Sequence, residues 1–337
     1  MLDCKIFFKK INIFTLLIMA SIALTGCGEK PYSPDTATPA AQPTAENLAQ
    51  SDTDTANKEY GTPGSGKSRK NVLLPVAAGT TVYEEDTVKI DASNVSEGYC
   101  MVSYSGSAPK ARVLMTSPSS VQYNYRLSGS GEYDTIPFSD GNGSYHIEVY
   151  ENVTGDKYAQ LYSLNLAVEM SDPNKAFLYS NQYVNFEKST LAIAKGEELS
   201  NNAADELTLV EIVYHYVCDN VKYDHEKAQT VQTGYRPVVD ETLSTGKGIC
   251  FDYSALMCTM LRTEGIPCRL EIGYREDLYH AWISVYTDET GWIDDIIVFD
   301  GNEWSMMDPT LAAERDNNTV KNYLDNKKSI YTLMYKY

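Results

Sequence analysis

The chain has 337 residues, ordinary apolar content and a formal net charge of −18. That length suffices for two ordinary domains, and the negative charge disfavours general nucleic-acid binding, which needs a basic surface. Tyrosine is over-represented, with 26 residues against 8 phenylalanines, a set that suits half-wet sheets and extracellular surfaces.

Lys5, Lys9 and Lys10 precede the uncharged apolar run "INIFTLLIMASIAL". Its length is that of a signal peptide, too short for a comfortable membrane span. It ends in "LTGC", Leu24 to Cys27, which resembles the lipobox of bacterial lipoproteins. The resemblance implies a signal peptide over 1–26, cleavage after Gly26 and a lipid on Cys27. Two acyl chains there would hold an extracytoplasmic protein on the cell membrane of a bacterium, read as Gram-positive. Cys4 leaves with the signal, so Cys100, Cys218, Cys250, Cys258 and Cys268 remain. Five is odd, and at least one is free or pairs between chains. No CxxC pair or His/Cys cluster points to zinc.

Residues 27–70 are rich in Pro, Thr, Ala, Ser, Asp and Gly with almost no large apolar side chains. Such a segment cannot bury enough surface to fold, and it reads as a disordered tether. Within it "GTPGSGKS", residues 61–68, fits the spacing of a phosphate-binding loop through Gly61, Gly66, Lys67 and Ser68. A working loop of that kind needs a buried strand before it and a helix after it. "SDTDTANKEY" is no such strand, and Pro75 and Gly79 would break a helix on the other side. The stretch is spacer, and no nucleotide is expected.

Over 71–171 the period becomes two. Val121, Tyr123, Tyr125 and Leu127 alternate with polar residues, as do Tyr145, Ile147 and Val149, and Leu164, Leu166, Val168 and Met170. Turn signals at 128–131, 140–143 and 153–156 separate them. Short alternating strands with polar turns predict an all-β domain, an Ig-like sandwich. His146 faces away from Ile147 and is read as a solvent-face residue. From 172 the pattern changes. Leu207, Val210, Val213, Val217 and Val221 fall at helical spacing behind Asp205 and Glu206, which suit a helix start. His215 and Cys218 lie inside that helix as core or boundary residues.

The stretch that carries chemistry is "LSTGKGICFDYSALMCTMLRTEGIPCRLEIGY", residues 243–274. Gly246 and Gly248 permit a sharp turn, Cys250 opens a helix with Phe251, Ala255, Leu256 and Leu261 as apolar anchors, and Gly265-Ile266-Pro267 stops it. A cysteine at a helix N-terminus meets unpaired N–H groups and the positive dipole end. These favour thiolate, lowering the pKa from about 8.5, and are natural oxyanion donors. Asp252 in the first turn slightly opposes the thiolate. A cysteine nucleophile wants a base, and His280 lies on the predicted strand "YHAWISVY". "NEWSMMDPTL" reads as a further short strand in which Asp308 could accept from the second ring nitrogen of His280. The acidic "WIDDIIVFDG", with Asp294, Asp295 and Asp300, fits no EF-hand loop and reads as a solvated loop.

The order of a glycine turn, Cys at a helix start, His on a strand and Asp before Pro-Thr resembles the transglutaminase-like superfamily over about residues 180–311. The matching motifs are G-x-C-x-D-Y-S, R-x-x-G-I-P, H-A-W and D-P-T. The resemblance implies a papain-like α+β domain over 172–337, with Cys250 as nucleophile, His280 as general base and Asp308 as the orienting acid. It also implies a thioester formed from a peptide or glutamine amide and passed to water or to an amine. Tyr223 in "VKYDHEKA" falls about where family members complete the oxyanion hole, with a packing tyrosine as the alternative. His225 is a rival base. No cofactor or metal is expected, and the partner is a protein or peptide substrate. The competing reading is a non-catalytic surface protein whose sandwich binds wall polymer or a protein.

Overall fold

The computed structural model describes residues 72–232, 234–275, 278–299, 304–306 and 331–337. The leader with Cys27, the tether with its "GTPGSGKS" stretch, Asp300 and Asp308 lie outside the described residues.

The first half of the chain is strand-rich. Strands β1 (Val82–Glu85), β2 (Val88–Asp91), β3 (Tyr99–Tyr104) and β6 (Tyr133–Pro137) form one antiparallel sheet in the order β1-β2-β3-β6. Strands β4 (Ala111–Thr116), β5 (Gln122–Leu127), β7 (Gly143–Thr154) and β8 (Lys157–Val168) form a second, in the order β5-β4-β7-β8. The period-two pattern holds: Tyr123, Tyr125 and Leu127 on β5 and Tyr145, Ile147 and Val149 on β7 are buried, while their neighbours are not. Side chains that alternate across a pleat can reach a single core only from one face.

The tyrosines correct the reading that they suit wet surfaces. Tyr99, Tyr104, Tyr123, Tyr125 and Tyr145 are each at most 2% exposed. Tyr123 and Tyr125 meet Tyr337 edge-on at 5.8 and 6.0 Å, and Tyr183 lies 4.1 Å from Tyr337. These rings join the first half of the chain to the second, and most of the buried apolar residues of both halves form one continuous cluster, with Tyr99, Met101 and Tyr179 in a smaller second one. Edge-to-face ring pairs tolerate burial, and each large ring contributes heavily through its area. The hydroxyls find backbone partners where they can, as Tyr183 does by donating to Asn124 O at 3.2 Å.

The second half mixes helices and strands. Helices α1 (Leu191–Ser200), α2 (Glu206–Asn220), α3 (His225–Thr230), α4 (Val239–Thr245) and α5 (Cys250–Thr263) precede a sheet of β11 (Cys268–Arg275), β12 (Leu278–Thr287), β13 (Gly291–Phe299), β14 (Trp304–Met306) and β15 (Tyr331–Lys336). The sheet order is β14-β13-β12-β11-β15, antiparallel throughout. The predicted helix over 205–221 is α2, capped by the Asp205 carboxylate, which accepts from Thr208 N at 2.7 Å. Helix α5 packs against α1, α2 and α4 and against β11 and β12. It is therefore buried nearly all round, from Asp252 to Thr263.

One feature of this half departs from the sequence reading, and a second is not visible in it. Residues 292–299 of the acidic stretch read as a solvated loop lie in strand β13. Gly291 turns the chain back from β12, Ile293 is buried at 4% and Asp294 points to solvent near Arg269. A one-in, one-out pattern that begins right after a tight turn is a hairpin arm, whatever its charge. Arg262, in the last turn of α5, is fully buried. It donates to Cys268 O at 2.7 and 2.9 Å, Tyr179 O at 2.8 Å and Tyr337 O at 2.6 Å. Backbone carbonyls thus satisfy a guanidinium that would otherwise be costly to bury.

Candidate active site

The turn before Cys250 is built by two glycines and a short parallel ladder. Helix α4 ends at Gly246 in the left-handed region (φ 61°), and Gly248 sits so close to Asp252 that a Cβ would fall 2.7 Å from the aspartate Cβ. Strand β10 (Lys247–Gly248) pairs with β9 (Lys222–Tyr223), with Gly248 opposite Tyr223. Lys222 N donates to Gly246 O at 2.8 Å and Asp224 N donates to Gly248 O at 2.9 Å. This pairing carries "VKY" up to the turn that precedes Cys250 and α5.

Asp252 is more than a dipole partner. It is fully buried and accepts from Ile249 N at 2.8 Å, from the Tyr235 hydroxyl at 2.5 Å and from Lys227 Nζ at 2.8 Å. Lys227 also donates to the Tyr235 hydroxyl at 2.6 Å and lies 4.5 Å from the centre of its ring. Helix α3, the loop after it and the first turn of α5 are therefore bound together by one buried carboxylate. The sequence does not single out Lys227 or Tyr235. Only the unusual Asp two residues after the cysteine hints at a buried charge that needs partners.

Cys250 is half-buried at the start of α5. Burial pushes the thiol up to about 11, and the nearby Asp252 charge adds to this. Backbone hydrogen bonds from Ala281, Phe251 and the Cys250 amide pull the other way. The expected lowering by the helix N-terminus is thus overturned, because loss of water around the sulfur outweighs the N–H groups that face it.

Helix α5 packs against β12, and the Ala281 amide, one residue after His280 on that strand, faces the Cys250 sulfur. His280 is itself 4% exposed and stands opposite Gly273 of β11. The structure therefore brings Cys250 and the His280 segment together. Beyond His280 the strand is pinned by Glu271, which accepts from Trp282 Nε1 at 2.8 Å and from Ser284 Oγ at 2.7 Å. Tyr223 also belongs to this place. Burial and the neighbouring Cys250 hold its hydroxyl well above the usual tyrosine range, so it keeps its proton and can donate. His225 opens α3 with its ring 5.1 Å from that of Tyr223. The other two histidines sit in other settings, His146 against Asn165 at 2.8 Å and His215 near Glu211 at 3.7 Å. Strand β14 runs where the sequence placed it, but Asp308 lies outside the described residues.

Comparison with known proteins bears on the same segment. UPF0252 protein MJ1282 of Methanocaldococcus jannaschii is 29% identical over 104 residues, which cover 27% of this chain and 29% of that protein. YebA of Bacillus subtilis is 26% identical over 151 residues, covering 37% of this chain and 20% of that protein. The chain thus spans less than a third of either relative. A Cytophaga hutchinsonii structure provisionally named a cysteine protease aligns over 77% of this chain and 74% of its own. Its 11% identity and TM-score of 0.33 are too low to carry weight. Residues 193–295 match the model of the transglutaminase-like superfamily, a range that holds Cys250, His280 and Tyr223. The second half of this chain therefore carries a transglutaminase-like domain of mixed α and β structure, behind a strand-rich first half.

Proposed function

We propose that the protein is a thiol enzyme tethered to the outer face of a bacterial membrane through lipid on Cys27, acting on protein or peptide substrates at the surface. The contact between the Ala281 amide and the Cys250 sulfur carries the reading, because it sets the thiol beside the strand that bears His280. A buried thiol cannot act as a nucleophile unless a base takes its proton as it attacks.

In the first step His280 accepts the proton of Cys250 while sulfur bonds to an amide carbonyl carbon. The developing oxyanion is met by the Tyr223 hydroxyl and N–H groups at the start of α5. The C–N bond then breaks, the leaving amine or ammonia takes the proton from His280, and a thioester remains. Water or an amine attacks the thioester, again losing a proton to His280, and the thiol is restored. Asp308 would accept from the other imidazole nitrogen and hold the tautomer. Hydrolysis and amine transfer share every residue of this scheme, and the acceptor decides between them.

The test is incubation of the mature protein with a surface proteome, with and without a tagged amine, for wild type, Cys250→Ala, His280→Ala and His225→Ala. Tag incorporation marks transfer, and new N-termini mark hydrolysis. Activity kept in His280→Ala but lost in His225→Ala would overturn the triad. Activity absent from the wild type and all variants would leave the non-catalytic binding role.

A further inference from the structure

Two cysteines that the proposed chemistry does not use lie against each other in the core. Cys258, two turns after Cys250 on α5, has its sulfur 3.1 Å from that of Cys268, the first residue of β11. Both are fully buried. Unbonded sulfurs that do not share a proton stay farther apart, and a disulfide needs about 2.05 Å, so about one ångström of approach separates this pair from a bond. The backbone is already held for it. The Arg262 guanidinium clamps the Cys268 carbonyl from the same helix, and Cys268 is fixed opposite Val285 on β12. Of the remaining described cysteines, Cys100, Cys218 and Cys250 take no part in the contact, so an odd set of five resolves into one pair and three thiols.

We propose that Cys258 and Cys268 form a disulfide in the mature protein, stapling the nucleophile helix to the strand beside the one that carries His280. This rests on the reading that the chain is exported, since such bonds persist in oxidising compartments and are rare in the cytosol. The reaction is a dithiol–disulfide exchange with an oxidant of the disulfide class, such as oxidised glutathione or a disulfide-bearing oxidoreductase. The attacking thiolate opens the oxidant's S–S bond and forms a mixed disulfide, releasing one thiol. The second cysteine then displaces the other thiol. Two electrons and two protons pass from the pair to the oxidant. Because both sulfurs are sealed in the native core, the exchange takes place while the chain folds. Cys250 stays reduced, on the same helix but at its other end, as a nucleophile must.

The bond is read directly by mass. The full chain is expressed with its own leader in a bacterium, its thiols are trapped with iodoacetamide in denaturant at harvest, and it is digested with trypsin without reduction. Trypsin cuts after Lys247, Arg262 and Arg269, which leaves Cys250 and Cys258 on peptide 248–262 and Cys268 on peptide 263–269. The expected product is these two peptides linked, lighter by two hydrogens than their sum, with one alkyl group on Cys250. Alkyl groups on all three cysteines of a chain whose leader has been removed would overturn the proposal. A chain that keeps its leader shows instead that the export reading has failed. The purified chain is then refolded with oxidised glutathione, where the same linked peptides support the pairing and three alkyl groups overturn it. Failure of the thiol-enzyme reading shows separately, as an unlinked Cys250 with no substrate turnover.

Discussion

Replacing Lys227 by Met should destabilise the start of α5 more than an ordinary surface change. Lys227 Nζ lies 2.8 Å from a carboxylate, Asp252, that has no contact with solvent. At that distance and an effective dielectric near 20 the attraction is about 6 kcal/mol before desolvation is subtracted. Breaking a buried pair from one side costs about 3–5 kcal/mol, because the remaining carboxylate keeps only neutral donors, Ile249 N and the Tyr235 hydroxyl. The Lys227 side chain is 24% exposed, so water replaces part of the lost interaction and about 2–3 kcal/mol is expected. Urea unfolding followed by tryptophan fluorescence gives the loss. Lys227→Arg should recover most of it. In an Asp252→Asn background, where no carboxylate is left stranded, Lys227→Met should cost less than about 1 kcal/mol. A single-variant cost under about 0.5 kcal/mol, or the same cost in both backgrounds, would refute the claim that the two charges depend on each other.

Three further outcomes are expected from the same geometry. Tyr223→Phe removes a hydroxyl but not the ring that packs there, and should lower kcat by about 10²- to 10³-fold with KM little changed; a packing role would leave kcat intact. Gly248→Ala places a Cβ 2.7 Å from that of Asp252, and should cost about 1–3 kcal/mol by forcing the capping carboxylate aside, read by the same unfolding assay. The pH dependence has a definite sign. Burial pushes the Cys250 thiol up to about 11 and those of Cys100 and Cys218 up to about 12, above their unfolded values. Each contributes stability that is complete below about pH 8.5 and is lost as pH rises through 11 and 12. The thermal midpoint should therefore fall steeply above about pH 9, and less steeply in Cys218→Ala if that variant folds.

Much of the fold is legible in the sequence because it rests on local rules. Alternation places Tyr123, Tyr125, Ile147 and Val149 in the core. A glycine pair, a cysteine and a Gly-Ile-Pro stop frame α5 to the residue. The parts that cannot be read depend on contacts between distant segments. Nothing in the spacing of Lys227, Tyr235 and Asp252 predicts that they meet, since they come from a short helix, a loop and a buried turn. Arg262 looks like a surface arginine until three carbonyls are seen around it. The tyrosines look wet because their hydroxyls are polar, but ring packing between the two halves of the chain decides their place. The direction of the Cys250 shift is hidden for a related reason: a helix start is visible in sequence, while the packing of β12 against it is not.

The central claim, that Cys250 is a nucleophile activated by His280, is tested most directly by the alkylation rate of Cys250 in the folded protein at pH 7, mapped by fragmentation of peptide 248–262. An unaided thiol whose pKa is about 11 carries about one part in 10⁴ thiolate at that pH, and a working general base contributes about 10²- to 10⁴-fold. Wild-type Cys250 should react at least about 100-fold faster than Cys250 in His280→Ala, while His225→Ala stays close to wild type. Equal rates in wild type and His280→Ala would contradict that claim.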